Sequence, residues 1–229
     1  MYTKKVIDAL RKCNGISEYL ILIQQDGLDK RGDIGQSSVR SLCESIDFAE
    51  ARILTESKHL GCNENTRRAL ASGFLHSDYV IHMEDDVMMA PDALRYFEWA
   101  RQFGSDASLF IASAWCHPKG WKPSLRKPKP SNVDDLVGSD PWLWIWGFST
   151  WRDRWEQMES EWTKCTNDQH TSWDCHLNDN VKGIRQSLVP YTSRSINIGE
   201  KGGTHRGSFM LEYWAGSPGF KTSGTYKRV

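Results

Sequence analysis

Hydrophobic positions along the first 115 residues alternate between two rhythms. In residues 2–13, Val6, Ile7 and Leu10 recur at helical spacing, and Asn14-Gly15 supplies the stop. EYLILIQQDG, residues 18–27, is a short apolar run that ends in Asp and Gly, which predicts a buried strand entering a loop. A polar stretch follows, then a helix from about Ser37 to Asp47, a second strand at ARILTES and a helix over residues 62–75. DYVIHMEDDV predicts a third strand that breaks into acid residues, and PDALRYFEWARQF predicts a helix opened by Pro91. This alternation predicts a mostly parallel, three-layer α/β sheet, in which ligands bind beyond the carboxyl ends of the strands. Asp26 and the Glu84-Asp85-Asp86 trio both fall at such ends.

After SLFIASAW, residues 108–115, the rhythm is lost. Residues 117–130 hold five Lys/Arg, four prolines and no acid, which predicts an extended basic loop. DPWLWIWGFSTWRDRWEQM joins an aromatic strand to a helix, and the last third is polar, glycine-punctuated and poorly periodic, as in loops that close over a site. The chain reads as one domain, residues 1–229, with an irregular C-terminal lobe.

Composition narrows the classes. Twenty-nine basic residues balance 29 acidic ones, which argues against a polyanion binder that uses its whole surface. No apolar stretch approaches the roughly 20 residues that span a bilayer, and no secretory h-region opens the chain. With six scattered cysteines and no CxxC pair, the expectation is a cytoplasmic protein with reduced thiols and no membrane partner. All eleven tryptophans lie at or after Trp99.

Three consecutive carboxylates repel one another and need a cation or hydrogen-bond donors to neutralise them. Hard oxygen ligands at a strand end suit Mg²⁺ or Mn²⁺, which commonly takes one or two carboxylates and completes its shell with substrate phosphates. The plainer alternative is a solvated acidic turn ahead of the Pro91 helix.

Five segments in order carry a resemblance. IHMEDDVMMAPDALRYF, DASLFIASAW, WLWIWGFSTWRDRWEQM, TSWDCHLND and SRSINIGEKGGTHRGSF resemble the N-acetylglucosaminyltransferase I family of GT-A glycosyltransferases over roughly residues 19–209. The resemblance implies a GT-A, Rossmann-like sheet flanked by helices, with residues 1–115 as the nucleotide-sugar and metal half and residues 116–229 as the acceptor and closing half. It implies inverting transfer from a nucleotide-diphosphate sugar, UDP-linked, to an acceptor hydroxyl. Asp86 would hold the divalent cation, Mn²⁺ or Mg²⁺, and Glu84 and Asp85 would contact the donor. Asp26 would accept a hydrogen bond from the base, and Arg67 would approach the nucleotide. Asp174 would be the general base, with Asp134, Asp135 and Asp179 as rivals. His205 would join the metal and Ser208 the donor from the closing loop, although a structural histidine there is an equal reading.

The family's first strand has no counterpart ahead of YTKKVIDAL. That departure keeps a second function open, a GT-A-like module that binds glycans or nucleic acid without turnover. The acceptor also stays open. Lys127 and Lys129 with Trp121 suit a DNA backbone and an unstacked, hydroxymethylated pyrimidine of the kind phage-type enzymes modify. Trp121 and Trp173 equally suit an oligosaccharide, whose sugar faces stack on indoles. Oligomeric state cannot be read from the residues.

Overall fold

A computed structural model describes residues 2–28, 30, 32–33, 35–116, 133–165, 172–199 and 225–229. Helix α1 (Tyr2–Leu10) buries Val6, Ala9 and Leu10 along one stripe and ends before Gly15, whose φ of 83° turns the chain into β1 (Leu20–Gln25). Helix α2 (Gln36–Glu44) leads to β2 (Glu50–Thr55), which pairs in parallel with β1. Helix α3 (Cys62–Phe74) leads to β3 (Tyr79–His82), a turn and the short β4 (Val87–Met89). The expected helix after Pro91 is α4 (Ala93–Arg101), followed by β5 (Leu109–Ser113). Then come β6 (Leu136–Asp140), β7 (Phe148–Trp151), α5 (Arg152–Glu161), α6 (Trp173–Asn180), β8 (Gln186–Pro190), β9 (Ser195–Asn197) and β10 (Lys227–Arg228).

The central sheet has six strands in the order β10-β6-β8-β5-β7-β3. Strands β5 and β8 are parallel, and β7 runs against both β5 and β3, so β3, β5 and β8 share one direction. Strands β6 and β10 run together in the opposite sense, beside β8. Antiparallel pairing enters where β7 inserts between β3 and β5 and where β6 joins beside β8.

Helices cover both faces. Leu10, Leu94, Phe97, Leu109 and Leu188 form one core with α1 and α4, and Leu70, Phe74, Phe110, Trp155 and Trp173 form another with α3, α5 and α6. A register shift between Leu109 and Ile111 puts the neighbours Phe110 and Ile111 into the same core, against the alternation of a regular strand. Strand β1 pairs with β2 in a separate two-stranded sheet. Its LILI run is half-buried throughout, whereas β5 and β7 are fully buried.

One buried cation ties the C-terminal part to the rest. Arg194 is fully buried, and its Nε donates to Asp92 Oδ2 at 3.1 Å. Its other nitrogens donate to the carbonyls of Thr192 and Asp134. Tyr226 Oη donates to the same Asp92 oxygen at 2.8 Å, and the guanidinium lies 5.3 Å over the Tyr226 ring. The entry to α4, the base of β9, the entry to β6 and the C-terminal strand therefore meet at one charge.

His82, the last residue of β3, lies in the second core between Phe148 and Trp173, with Nε2 buried and unpartnered. Burial pushes its imidazole down to about 4 from the usual 6.5. The depressed value contributes stability that is present above pH 6.5 and is lost as pH falls toward 4, on the order of 3 kcal/mol for a fully buried ring. Urea unfolding between pH 7 and pH 4 should show this loss, and His82→Phe should remove most of it. An identical pH slope in the variant rules His82 out as the source.

Candidate functional site

The site forms where the turn after β3 and the start of α6 bring acids together beside the start of α3. Strand β3 ends at His82, and a turn closed by the Val87 N–H on the Glu84 carbonyl, 3.1 Å, presents Glu84, Asp85 and Asp86. Glu84 is pushed up to about 8, first by burial and then by the charges of Asp86, Asp174 and Asp85. Asp85 is raised by burial as well. Asp174, 90 residues further along the chain, thus lies within electrostatic reach of the trio. It occupies the first turn of α6, and Ser172 Oγ donates to its Oδ1 at 2.5 Å. The Cys62 thiol, at the start of α3, is pushed up to about 11 by burial and then by Glu84, Asp174 and Asp85. The start of α3, the acidic turn and the start of α6 therefore lie close together.

Asp86 is held by β9. The Asn197 side-chain amide donates to Asp86 Oδ1 at 3.2 Å, and Ile198 N–H donates to the Asp86 carbonyl at 2.8 Å. Strands β4 and β9 pair antiparallel immediately beyond, with Val87 opposite Asn197. Gly199 passes so close that a Cβ there would lie 2.2 Å from Asp86 Oδ2. Asn197 lies inside a segment singled out in the sequence, but its grip on Asp86 depends on the β4–β9 register, for which no local pattern exists.

Asp26 sits at the end of β1 as expected. Its carboxylate accepts the N–H groups of Leu60 at 2.7 Å, Gly61 at 3.0 Å and Gly27 at 2.8 Å, and it pairs with His59 Nδ1 at 2.7 Å. It therefore fastens the loop that delivers α3 into the site. Gly27 lets that loop approach, since a Cβ there would meet the Lys58 backbone at 2.4 Å. Arg67 is engaged elsewhere. Its guanidinium pairs with Glu64 at 2.8 Å and with Glu159 of α5 at 2.9 Å, bracing two helices.

One expected acceptor residue is corrected. Trp173 is 3% exposed, stacked on Trp162 at 5.3 Å and packed against Phe148, so no sugar face can reach its ring. Its apolar neighbours on three elements claim it for the core. Of the rival bases, Asp134 accepts from Thr192 Oγ1 at 2.7 Å, and Asp179 lies five residues past Asp174 on another face of α6. Trp121, Lys127, Lys129, His205 and Ser208 lie outside the described residues.

A family model described as GNT-I matches residues 3–216 of the chain. The chain belongs to the GNT-I family. It is 28% identical over 209 residues to an alpha-1,3-mannosyl-glycoprotein 2-beta-N-acetylglucosaminyltransferase of Arabidopsis thaliana, covering 86% of this chain and 43% of that protein. Among solved structures it is similar to the mannosyltransferase PcManGT from Pyrobaculum calidifontis, in complex with GDP-Man and Mn²⁺. That match has a TM-score of 0.53 and 13% identity, and covers 82% of this chain and 50% of the other. The likeness shows a GT-A fold for this GNT-I family member. The chain spans about half the length of these relatives. No helix among the described residues is long and apolar enough to cross a membrane.

Replacing Asp26 with Ala leaves the Leu60 and Gly61 N–H groups without their acceptor. The expected cost is roughly 1–3 kcal/mol, read as a lower denaturation midpoint with faster amide exchange at residues 59–61. Unchanged exchange there would show that the loop holds its position without the carboxylate.

Proposed function

We propose that this GNT-I family chain is a metal-dependent, inverting glycosyltransferase that moves a sugar from a nucleotide-diphosphate donor, UDP-linked, to a hydroxyl of a glycan. The observation that carries this reading is the convergence of Asp174 on the Glu84–Asp86 turn. Asp86, Asp174 and Asp85 each raise Glu84. Carboxylates gathered in this way have the hard oxygen chemistry that Mg²⁺ or Mn²⁺ prefers. Among the described residues no three acidic, histidine or cysteine side chains form a ready cage. Asp86 would hold the cation, with substrate phosphates completing the shell. Bound there, the cation would neutralise charge on the departing diphosphate.

The chain's own groups supply the remaining chemistry. Ser172 orients the Asp174 carboxylate, which accepts the proton of the acceptor hydroxyl. The freed oxygen pair forms the new bond to the anomeric carbon as the bond to the diphosphate oxygen breaks, giving inversion. Glu84, two residues before Asp86 in the same turn, would hydrogen-bond the donor sugar. The name of the Arabidopsis relative, with a mannosyl glycoprotein as substrate, supports a saccharide acceptor here. The reading of a hydroxymethylated base in DNA rests on residues 117–130, which lie outside the described residues.

The test is release of UDP from UDP-N-acetylglucosamine in the presence of Mn²⁺ and a mannose-terminated oligosaccharide. Asp174→Asn should keep donor binding while transfer falls by about 10²–10⁴-fold. Asp86→Ala should abolish the response to Mn²⁺. Wild-type protein that binds glycan yet turns over no nucleotide sugar would instead make the chain a binding module.

A further inference from the structure

Asn63, in the first turn of α3, is a buried amide beside Trp162 and Trp173 of the second core. A polar side chain in such a place costs free energy unless it is hydrogen-bonded, and an apolar residue would fill the space without that cost. The demand Asn63 meets is therefore one of hydrogen bonding rather than of packing. Its carbonyl accepts the Trp162 Nε1–H at 2.9 Å, and its side-chain Oδ1 accepts the Trp173 backbone N–H at 3.3 Å. Trp162 opens the single turn Trp162–Lys164, and its ring stacks on Trp173 at 5.3 Å with the planes 14° apart. Asn63, Trp162 and Trp173 close a loop of contacts across α3, this turn and α6.

Trp173 is the first residue of α6, where backbone N–H groups have no partner within the helix. Ser172 stands at the position that ordinarily caps such an end, but its side chain makes no cap bond. Its hydroxyl donates to Asp174 Oδ1 instead. Asn63 supplies the start of α6 with an acceptor from another helix, while Ser172 is turned to the carboxylate. This bond falls one residue before Asp174. Successive helical residues are turned by about 100°, so a slip of one position would carry Asp174 away from the acidic turn. Holding both the N–H and the ring of Trp173 opposes sliding and rotation of α6. Asn63 is itself fixed from the other side, because Asp26 accepts the N–H groups of Leu60 and Gly61 just ahead of it. A line of support runs from the end of β1 through the start of α3 to the start of α6.

We propose that Asn63 is a positioning residue that sets the first turn of α6 so that Asp174 faces the Glu84–Asp86 turn. What Asp174 does there rests on the glycosyltransferase reading above, and Asn63 acts on that reaction through Asp174 alone.

Amide exchange of the full chain, and its turnover of UDP-N-acetylglucosamine with Mn²⁺ and a mannose-terminated oligosaccharide, test this placement. Asn63→Ala should speed exchange at Trp173 and Asp174 by about tenfold or more. It should lower kcat by about 10²-fold with the donor KM unmoved. Asn63→Ser, whose hydroxyl is too short to reach the Trp173 N–H, gives the same readings should the alanine variant not fold. Asn63→Asp keeps an accepting oxygen at the helix start and should retain most of the wild-type rate. In an Asp174→Asn background, Asn63→Ala should cost less than about twofold more, since both act through one group. A full further loss in the double variant overturns the proposal. So does an Asn63→Asp chain as slow as Asn63→Ala, or unchanged exchange at Trp173 and Asp174. Quickened exchange in Asn63→Ala, together with a wild type that releases no UDP, sinks the catalytic reading and leaves Asn63 as the residue that sets α6.

Discussion

The buried Arg194 is the constraint on which the site depends. A guanidinium out of water is costly unless its donors are met, and here Asp92 and the carbonyls of Thr192 and Asp134 meet them. Each partner belongs to a different stretch of chain, so satisfying the charge fixes their relative positions. Three residues beyond Arg194 comes Asn197, and through it Asp86. The buried charge adds little net stability over a hydrophobic replacement, but it specifies where β9 runs. An apolar substitute would pack without registering β9 against β4.

Carboxylates gather in the opposite electrostatic sense. Glu84, Asp85, Asp86 and Asp174 are brought together by elements whose apolar faces are committed elsewhere, β3 to both cores and α6 to the second through Leu177 and Trp173. Burial of those faces supplies the free energy that overcomes repulsion among the acids. A functional cluster of like charge is thus sustained by the core behind it. Trp173 belongs to that support, although it adjoins Asp174 in sequence.

Much of the fold was legible because its elements declare themselves locally. The LILI run, the strand before the acidic trio and the Pro91 helix each carry their period within a few residues. The acidic turn was legible as well, since carboxylates at a strand end are a local pattern. Trp173 was misread because a tryptophan beside a candidate base looks the same whether its ring faces solvent or Trp162. Asp26 was placed correctly at its strand end, yet its contacts with Leu60 and Gly61 arise from a loop 34 residues away. The direction of β7 also escaped local reading. It depends on which edge remains open after β3 and β5 have formed, a global property.

The tryptophan bias resolves into two populations with different physical reasons. Trp155, Trp162 and Trp173 are buried between α3, α5, α6 and the sheet, while Trp151 is buried in the first core, its Nε1 donating to the Arg101 carbonyl. Trp142, Trp144 and Trp146 flank Leu143 and Ile145 of the second core, and buried Trp115 lies 4.7 Å from both Trp144 and Trp146, so this second group packs as indoles against one another rather than between helices and the sheet.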